Sequence, residues 1–233
     1  MSCPQQAHRC KEHVLELQES TIRRPIASRH STWAIATAGW LGRRGLRPNQ
    51  ISLLSVVFAG LAGLCLVLAA TSTPAWRIVL LLIAAACLPL RLLCNLFDGM
   101  LAVEGGLRSA VGELYNELPD RLADLLILVG AGYSGAAFDW AHELGWVAGV
   151  LAVMTAYVRT LGQAAGAAQH FFGPMAKPQR MHVMIAACVL AACETAVGGA
   201  QWVMPAALLI VIAGTIVTIA RRLRRIARDL ETR

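Results

Sequence analysis

Charged residues are scarce in this 233-residue sequence, at 15% of the chain against about 25% in soluble domains. Paired metal-binding or redox cysteines are also missing, because the seven cysteines are scattered singly and none forms a CxxC motif. No two histidines have ligand spacing, so we expect neither a zinc site nor a disulfide framework. The glycine-rich, HExxH and GxSxG motifs of common soluble enzymes are absent, which leaves soluble cofactor chemistry without support.

Hydrophobic residues make up 57% of the chain, and its mean hydropathy is +0.57. A helix needs about 20 mostly apolar residues to cross hydrocarbon, because every backbone amide must find its partner within the helix. The sequence therefore predicts an all-α membrane protein with six transmembrane helices. They are expected at residues 50–71, 75–98, 113–135, 143–163, 181–198 and 202–220.

The formal net charge of +7 comes from basic residues that lie where membrane topology favours them. Eight Lys and Arg residues precede residue 50, three lie in the loops after the second and fourth spans, and six follow residue 220. These 17 residues share one face, whereas Arg77 is the one basic residue expected on the other. We therefore predict a multi-pass protein of the inner (cytoplasmic) membrane, with both termini in the cytoplasm and no nucleic-acid partner.

The polar ends of the chain differ from its apolar middle. We expect a cytoplasmic N-terminal segment, a six-helix membrane domain and a basic cytoplasmic tail, at residues 1–48, 49–220 and 221–233. The N-terminal segment lacks the apolar core of a signal peptide, so no cleaved leader is expected. Residues 31–42 within it predict an amphipathic juxtamembrane helix, with Trp33 and Trp40 as anchors at the membrane surface.

Ionisable residues inside the spans are costly in hydrocarbon, and they gather near the end of the second span and the start of the third. Residues three or four positions apart share a helix face, so Asn95 and Asp98 point one way. Asn116, Asp120 and Asp124 share a face in the same manner. Such oxygen-bearing side chains suit Mg²⁺, which binds a few carboxylates together with substrate phosphates. The alternative is a set of structural ion pairs with Arg91, Arg108 and Arg121.

The spacing of this cluster resembles the signature of the CDP-alcohol phosphatidyltransferases, D-x2-D-G-x2-A-R-x8-G-x3-D-x3-D. The residues that match it in type and register are Asp98, Gly99, Ala102, Gly112 and Asp120. The match covers residues 95–120, and the six-span layout extends the resemblance over most of the chain.

Three positions depart from that signature. Asn95 and Asn116 stand where the family has aspartates, and Val103 stands where it has arginine. Amide oxygens can still bind a cation, but two negative charges are lost. The resemblance is therefore to a variant subgroup in which metal affinity is lower or one metal site is missing. Arg108 is the candidate to replace the missing arginine.

The resemblance implies an enzyme of phospholipid biosynthesis that transfers a phosphatidyl group from a CDP-linked lipid, such as CDP-diacylglycerol, to an alcohol acceptor and releases CMP. Asp120 would be the base that deprotonates the acceptor. The implied ligands of Mg²⁺ or Mn²⁺ are Asn95, Asp98, Asn116, Asp120 and Asp124. The residues implied to line the nucleotide-lipid site are Gly99, Ala102, Arg108 and Gly112. The residues implied to bind the acceptor are Arg159, Lys177 and Arg180, whose charges favour a phosphorylated alcohol.

Two other functions stay open at this point. A catalytically weakened family member would act as a lipid-binding or scaffold protein, since three signature residues differ. A transporter or channel would show broken helices with polar residues at the membrane midplane, whereas here the polar residues lie at one cytoplasmic end. The resemblance also implies a homodimer in contact with membrane lipids.

Overall fold

The computed structural model describes residues 31–103, 112–135 and 138–232, without the side chains of Val103, Glu113 and Asn116. These ranges contain seven α-helices and no strand, which confirms the predicted all-α fold. The helices are α1 Thr32–Arg43, α2 Pro48–Ala69, α3 Pro74–Val103, α4 Gly112–Ser134, α5 Ala141–Ala164, α6 Lys177–Ala196 and α7 Val203–Glu231. The predicted site residue Arg108 lies outside the described residues.

Four of these helices, α2, α3, α5 and α7, are long and apolar enough to cross a membrane. They contain 22, 30, 24 and 29 residues, and a rise of about 1.5 Å per residue carries each across about 30 Å of hydrocarbon. The predicted spans 113–135 and 181–198 are helical as well, as α4 and α6, but both helices carry several charged residues. The six-span topology therefore stays a prediction.

Glycine allows α4 to pack closely against α2 in the middle of the bundle. A Cβ atom added at Gly63 would lie 2.6 Å from the backbone oxygen of Leu126, and one added at Gly130 would lie 2.7 Å from the backbone oxygen of Gly63. Larger residues would separate the two helices, as at other close helix crossings in membranes. Around this contact α3 packs on α2 and α6, while α5 packs on α4 and α7.

The predicted juxtamembrane segment corresponds to α1, which packs on the last turns of α3. Ala34 and Ala38 are buried there against Met100, and Trp33 lies edge-on to the ring of Phe97 at 6.1 Å. α1 therefore covers the part of α3 on both sides of the signature residue Gly99. Its position at a membrane surface stays a prediction.

Buried Arg222 fixes the connection between α5 and α6 to the side of α7. Its guanidinium donates hydrogen bonds to the backbone oxygens of Thr155 (2.7 Å), Phe172 (3.1 Å) and Phe171 (3.3 Å). The predicted boundary at residue 220 falls inside α7, which continues to Glu231. This anchored connection leads directly into Lys177 at the start of α6.

Arg77, near the start of α3, holds the opposite end of the bundle together. It is buried, and it donates hydrogen bonds to three neighbouring segments: the backbone oxygens of Ala69 (3.0 Å) and Ser134 (2.9 Å) and the hydroxyl of Thr195 (3.2 Å). The last residues of α2 and α4 and the end of α6 therefore meet on one guanidinium.

Candidate active site

Six ionisable side chains meet where α3, α4 and α6 come together, far from Arg77 along the helices. All are buried or nearly buried. They are three carboxylates and three basic groups, so this cluster carries no net charge when all six are ionised. Its members are Arg91, Asp98, Asp120, Asp124, Lys177 and Arg180.

Asp124 lies at the centre of the cluster and has no solvent exposure. Arg91 Nη2 donates to its Oδ1 at 2.8 Å, and Arg180 Nη2 donates to its Oδ2 at 2.6 Å. Each carboxylate oxygen therefore accepts a charge-assisted hydrogen bond from a different helix. Asp124 joins α3, α4 and α6, and its predicted role as a metal ligand stays a prediction.

Asp120 lies one turn before Asp124 on α4 and contacts the ammonium of Lys177 through Oδ1. Arg91 Nη2 is 3.8 Å from the same oxygen and donates a hydrogen bond of 3.3 Å to the backbone oxygen of Asp120. The side chains of Asp120 and Lys177 each retain 11% exposure, in contrast to the sealed Asp124. Asp120 is therefore the carboxylate of this pair that a substrate can reach.

Asp98 presents the third carboxylate, from the last turns of α3. Ser52 on α2 donates its hydroxyl hydrogen to Asp98 Oδ2 at 2.6 Å. Asp98 is also close enough to Asp120 and Lys177 for their charges to act on it. The structure thus brings together two carboxylates that the sequence places 22 residues apart, on α3 and α4.

Oxygen donors for a hard cation are present beside these carboxylates. Asn95 lies one turn before Asp98, and its buried Nδ2 has no hydrogen-bond partner among the described residues. The oxygen and nitrogen of an amide have nearly the same shape, so the carbonyl oxygen of Asn95 fits the same position. Within the described ranges, no three His, Cys, Asp or Glu side chains form a group that would hold a metal ion. Two carboxylates with the amide oxygen of Asn95 suit one divalent ion whose coordination is completed by substrate phosphates.

The predicted nucleotide-facing residues lie at the same end of the bundle. Gly99 and Ala102 belong to the last turns of α3, and Gly112 is the first residue of α4. All three are partly exposed. Their small side chains leave the helix backbone open to a ligand, and contact with a nucleotide stays a prediction.

Arg159 forms a second, neighbouring ion-pair group. Its Nη2 is 2.5 Å from Oε2 of Glu117, which also pairs with Arg121, and its guanidinium lies 5.0 Å from the ring centroid of Phe171. The structure therefore places Arg159 on the Glu117 side of α4. It does not contact Asp120.

Arg180 and Lys177 have different surroundings, although both were predicted to bind an acceptor. Besides Asp124, the Arg180 guanidinium donates to the backbone oxygen of Met175 at 3.1 Å and to the hydroxyl of Thr155 at 3.3 Å, and it is only 2% exposed. Lys177 keeps one side open. Of the two, Lys177 is the more accessible to an incoming anion.

Ser52 and Arg91 belong to the site although neither was predicted as a site residue. Arg91 was considered only as an ion-pair partner of the acidic cluster, and the structure places it between Asp120 and Asp124. A charged residue within an apolar span is the signal that marks it. Ser52 carries no such signal, because a single serine in an apolar helix is common.

Comparison with known proteins gives a match in fold. The structure superimposes on Mycobacterium tuberculosis phosphatidylinositol phosphate synthase with CDP-DAG bound, with a TM-score of 0.66 and 19% sequence identity over 84% of this chain and 94% of that chain. The same synthase in complex with manganese and citrate gives a TM-score of 0.63 and 18% identity, over 83% and 88% of the two chains. Its apo form gives a TM-score of 0.61 and 19% identity, over 82% and 95%.

Sequence comparison adds no family assignment. No protein-family model matches the chain, and no curated protein matches it. At 18 to 19% identity, the three structural matches show a shared fold. The likeness extends over 88 to 95% of the synthase chain.

Proposed function

We propose that this protein transfers a phosphatidyl group from a CDP-linked lipid, such as CDP-diacylglycerol, to an alcohol acceptor and releases CMP. The observation that carries the proposal is that Asp98 on α3 and Asp120 on α4 belong to one buried cluster, in the signature register and in the fold of the phosphatidylinositol phosphate synthase. That synthase has been solved with CDP-DAG bound, which supports a CDP-linked lipid as the donor.

Asp120 is the general base in this proposal. The acceptor hydroxyl gives its proton to the Asp120 carboxylate, and the oxygen of the acceptor attacks the lipid-linked phosphorus of the pyrophosphate. A new phosphorus–oxygen bond forms, the bond between that phosphorus and the bridging oxygen breaks, and CMP leaves with the bridging oxygen. The partial exposure of Asp120 supports this role, because an acceptor can reach its carboxylate. Asp124 is fully buried, and both of its oxygens accept hydrogen bonds from arginines.

Mg²⁺ or Mn²⁺ is the cofactor in the proposal. Asp98, Asp120 and the amide oxygens of Asn95 and Asn116 would hold it, and the synthase of the same fold has been solved in complex with manganese. When bound, the ion supplies positive charge that neutralises the pyrophosphate and stabilises the leaving CMP. Asp124 fits a positioning role better than a ligand role, since both of its oxygens are bonded to arginines.

Binding of a phosphorylated acceptor is proposed for Lys177 and Arg159, with Arg180 behind them. Lys177 and Arg159 keep 11% and 13% side-chain exposure, whereas Arg180 is held by Asp124 and Thr155. Their positive charges favour an acceptor that carries a phosphate. Arg180 would then act by holding α6 in place and not by touching the acceptor.

The membrane arrangement follows the same proposal. We place six spans in the inner membrane, with α4 and α6 completing the four apolar helices, and both termini in the cytoplasm. Four charged residues of α4 and α6 support this, because they pair with each other inside the bundle: Asp120 with Lys177, and Asp124 with Arg180. α1 would lie at the membrane surface, and the protein would form a homodimer among membrane lipids. Asn95 and Asn116 would define a variant subgroup of the family.

One observation favours the alternative of a non-catalytic lipid-binding protein. Asp120 and Asp124 are both engaged by basic side chains, as expected for carboxylates retained for structure. In that case the cluster would stabilise the fold, and the protein would bind a nucleotide lipid without turnover.

Release of CMP separates the two functions. Purified protein in detergent would be given radiolabelled CDP-diacylglycerol, Mg²⁺ or Mn²⁺, and glycerol phosphate, inositol phosphate or serine in turn. We expect acceptor-dependent CMP release that Asp120→Asn abolishes. Asp139→Asn is the matched control, since Asp139 is an exposed carboxylate in the turn before α5. Binding of the lipid with no CMP release from any acceptor would support the alternative.

A further inference from the structure

Lys177 already supplies a cation to the carboxylate that was predicted to face a metal ion. Its ammonium contacts Asp120 Oδ1, and its charge also acts on Asp98 and Asp124. Within the described part of the cluster, Asp98, Asp120 and Asp124 are balanced by one lysine and two arginines. The two amide positions of the signature add oxygen donors without adding negative charge.

The three basic groups differ in their freedom to move. Arg180 is held by Asp124, Thr155 and the backbone oxygen of Met175, and Arg91 is fully buried between α3 and α4. Lys177 has Asp120 as its hydrogen-bond partner and stands at the first residue of α6, where four flexible methylene groups carry the ammonium. Lys177 is therefore the cation that can leave the cluster.

We propose that the Lys177 ammonium occupies the cation position beside Asp120, so that a divalent ion binds tightly only when the phosphates of the nucleotide lipid supply the missing negative charge. This inference rests on the proposed function and deepens it. Lys177 must leave Asp120 before that carboxylate can serve as a metal ligand or as a base. The phosphate groups that arrive with the substrates give the ammonium a new partner.

The inference assigns Lys177 a positioning role that differs from simple acceptor binding. An acceptor-binding lysine would alter the response to the acceptor alone. A lysine that competes with the metal controls metal affinity in the absence of any substrate, because like charges within a few ångströms repel strongly. Metal binding in the substrate-free protein is therefore the quantity that distinguishes the two roles.

The test measures Mn²⁺ binding to purified protein in detergent, from the electron paramagnetic resonance signal of free Mn²⁺, with and without CDP-diacylglycerol. We expect weak binding to the unmodified protein alone and at least about tenfold tighter binding with the lipid. Lys177→Met should tighten binding without lipid by at least about tenfold, since one positive charge near the ion is gone. The lipid should then add little.

Two control variants separate local competition from general charge. Lys177→Arg keeps the positive charge and should bind Mn²⁺ as weakly as the unmodified protein. Arg121→Gln removes one positive charge from a side chain that pairs with Glu117 and not with Asp120, and should leave Mn²⁺ affinity within about twofold. Thermal unfolding of each variant, followed by circular dichroism, shows whether it remains folded.

Each outcome decides one of the two proposals. Equal Mn²⁺ affinity in Lys177→Met and the unmodified protein overturns the inference, and lipid-promoted Mn²⁺ binding with CMP release would then leave the proposed function intact. Equal tightening by Arg121→Gln also overturns it, because the effect would then be one of overall charge. An absence of Mn²⁺ binding in every variant, even with lipid, together with no CMP release, contradicts the proposed function itself.

Discussion

Asp124→Asn should destabilise the protein far more than the same change at Asp120. Asp124 is fully buried and receives one charge-assisted hydrogen bond on each oxygen. The amide of asparagine keeps one acceptor but turns a donor toward a guanidinium, which leaves buried positive charge without compensation. Breaking a buried ion pair from one side costs about 3–5 kcal/mol. A loss of that size would remove a large part of the 5–15 kcal/mol that usually stabilises a domain.

Asp120→Asn is the internal comparison, one helical turn away. Its partner Lys177 retains some exposure and can turn toward water, so we expect a smaller loss of about 1–2 kcal/mol. Turnover should show the opposite order, with the larger loss in Asp120→Asn. Loss of a general base lowers the rate by about 10²- to 10⁴-fold, so Asp120→Asn should abolish CMP release while lipid binding survives.

The free energy of unfolding can be measured in mixed micelles as the fraction of SDS is raised, and CMP release can be measured on the same preparations. A double-mutant cycle with Arg180→Gln should show strong coupling to Asp124. The reasoning is refuted if the free energy of unfolding of Asp124→Asn lies within about 1 kcal/mol of that of the unmodified protein. If Asp120→Asn keeps near-normal turnover while Asp124→Asn is folded and inactive, the roles of the two aspartates must be exchanged.

Three further predictions concern the metal, the topology and the packing. Asn95→Asp should tighten Mn²⁺ binding, because it adds one charge to a hard-cation site, and unchanged Mn²⁺ affinity would mean that residue 95 is not a ligand. In a cysteine-free background, a cysteine at Ala168 should react only from the cytoplasmic side and one at Asp139 only from the outside, and labelling of both from one side would contradict the topology. Gly63→Ala should lower the free energy of unfolding by about 1–3 kcal/mol through overpacking on α4. Gly60→Ala, one turn away with its nearest contact at 4.0 Å, should be neutral or stabilising, and equal losses at both positions would contradict the close-packing argument.

The helices were largely predictable from the sequence because membrane spans depend on local composition. Hydropathy over about 20 residues located α2, α3, α5 and α7, and the tryptophan-flanked segment located α1 to within one residue. The structure of the end of α7 was harder to predict from the sequence. Arginines after residue 220 indicate a solvated tail when they are counted by charge, yet Arg222 is buried because loop carbonyls accept its hydrogen bonds.

The acidic positions of the site were predictable, whereas their partners were not. Helical periodicity and signature spacing identify Asp98, Asp120 and Asp124 over short distances in the chain. The partners are distant in the sequence, since Ser52 is 46 residues from Asp98 and Lys177 is 57 residues from Asp120. Such contacts depend on how α2, α3, α4 and α6 cross, and no local pattern encodes a crossing. The competition between Lys177 and a metal ion follows only from that arrangement.

The hydrogen bonds of Arg77 give the bundle a fixed pivot. The ends of α2, α4 and α6 are tied to one guanidinium, so this end of α3 is held in place and a tilt of α3 about it would be largest near Asp98. Asp98 lies 21 residues farther along α3, about 30 Å away at 1.5 Å per residue. A tilt of about 5° around Arg77 would therefore move Asp98 by roughly 3 Å, close to the diameter of a water molecule. In the proposed reaction, a small tilt over this length would be enough to widen the cluster for a pyrophosphate while the Arg77 end stays closed.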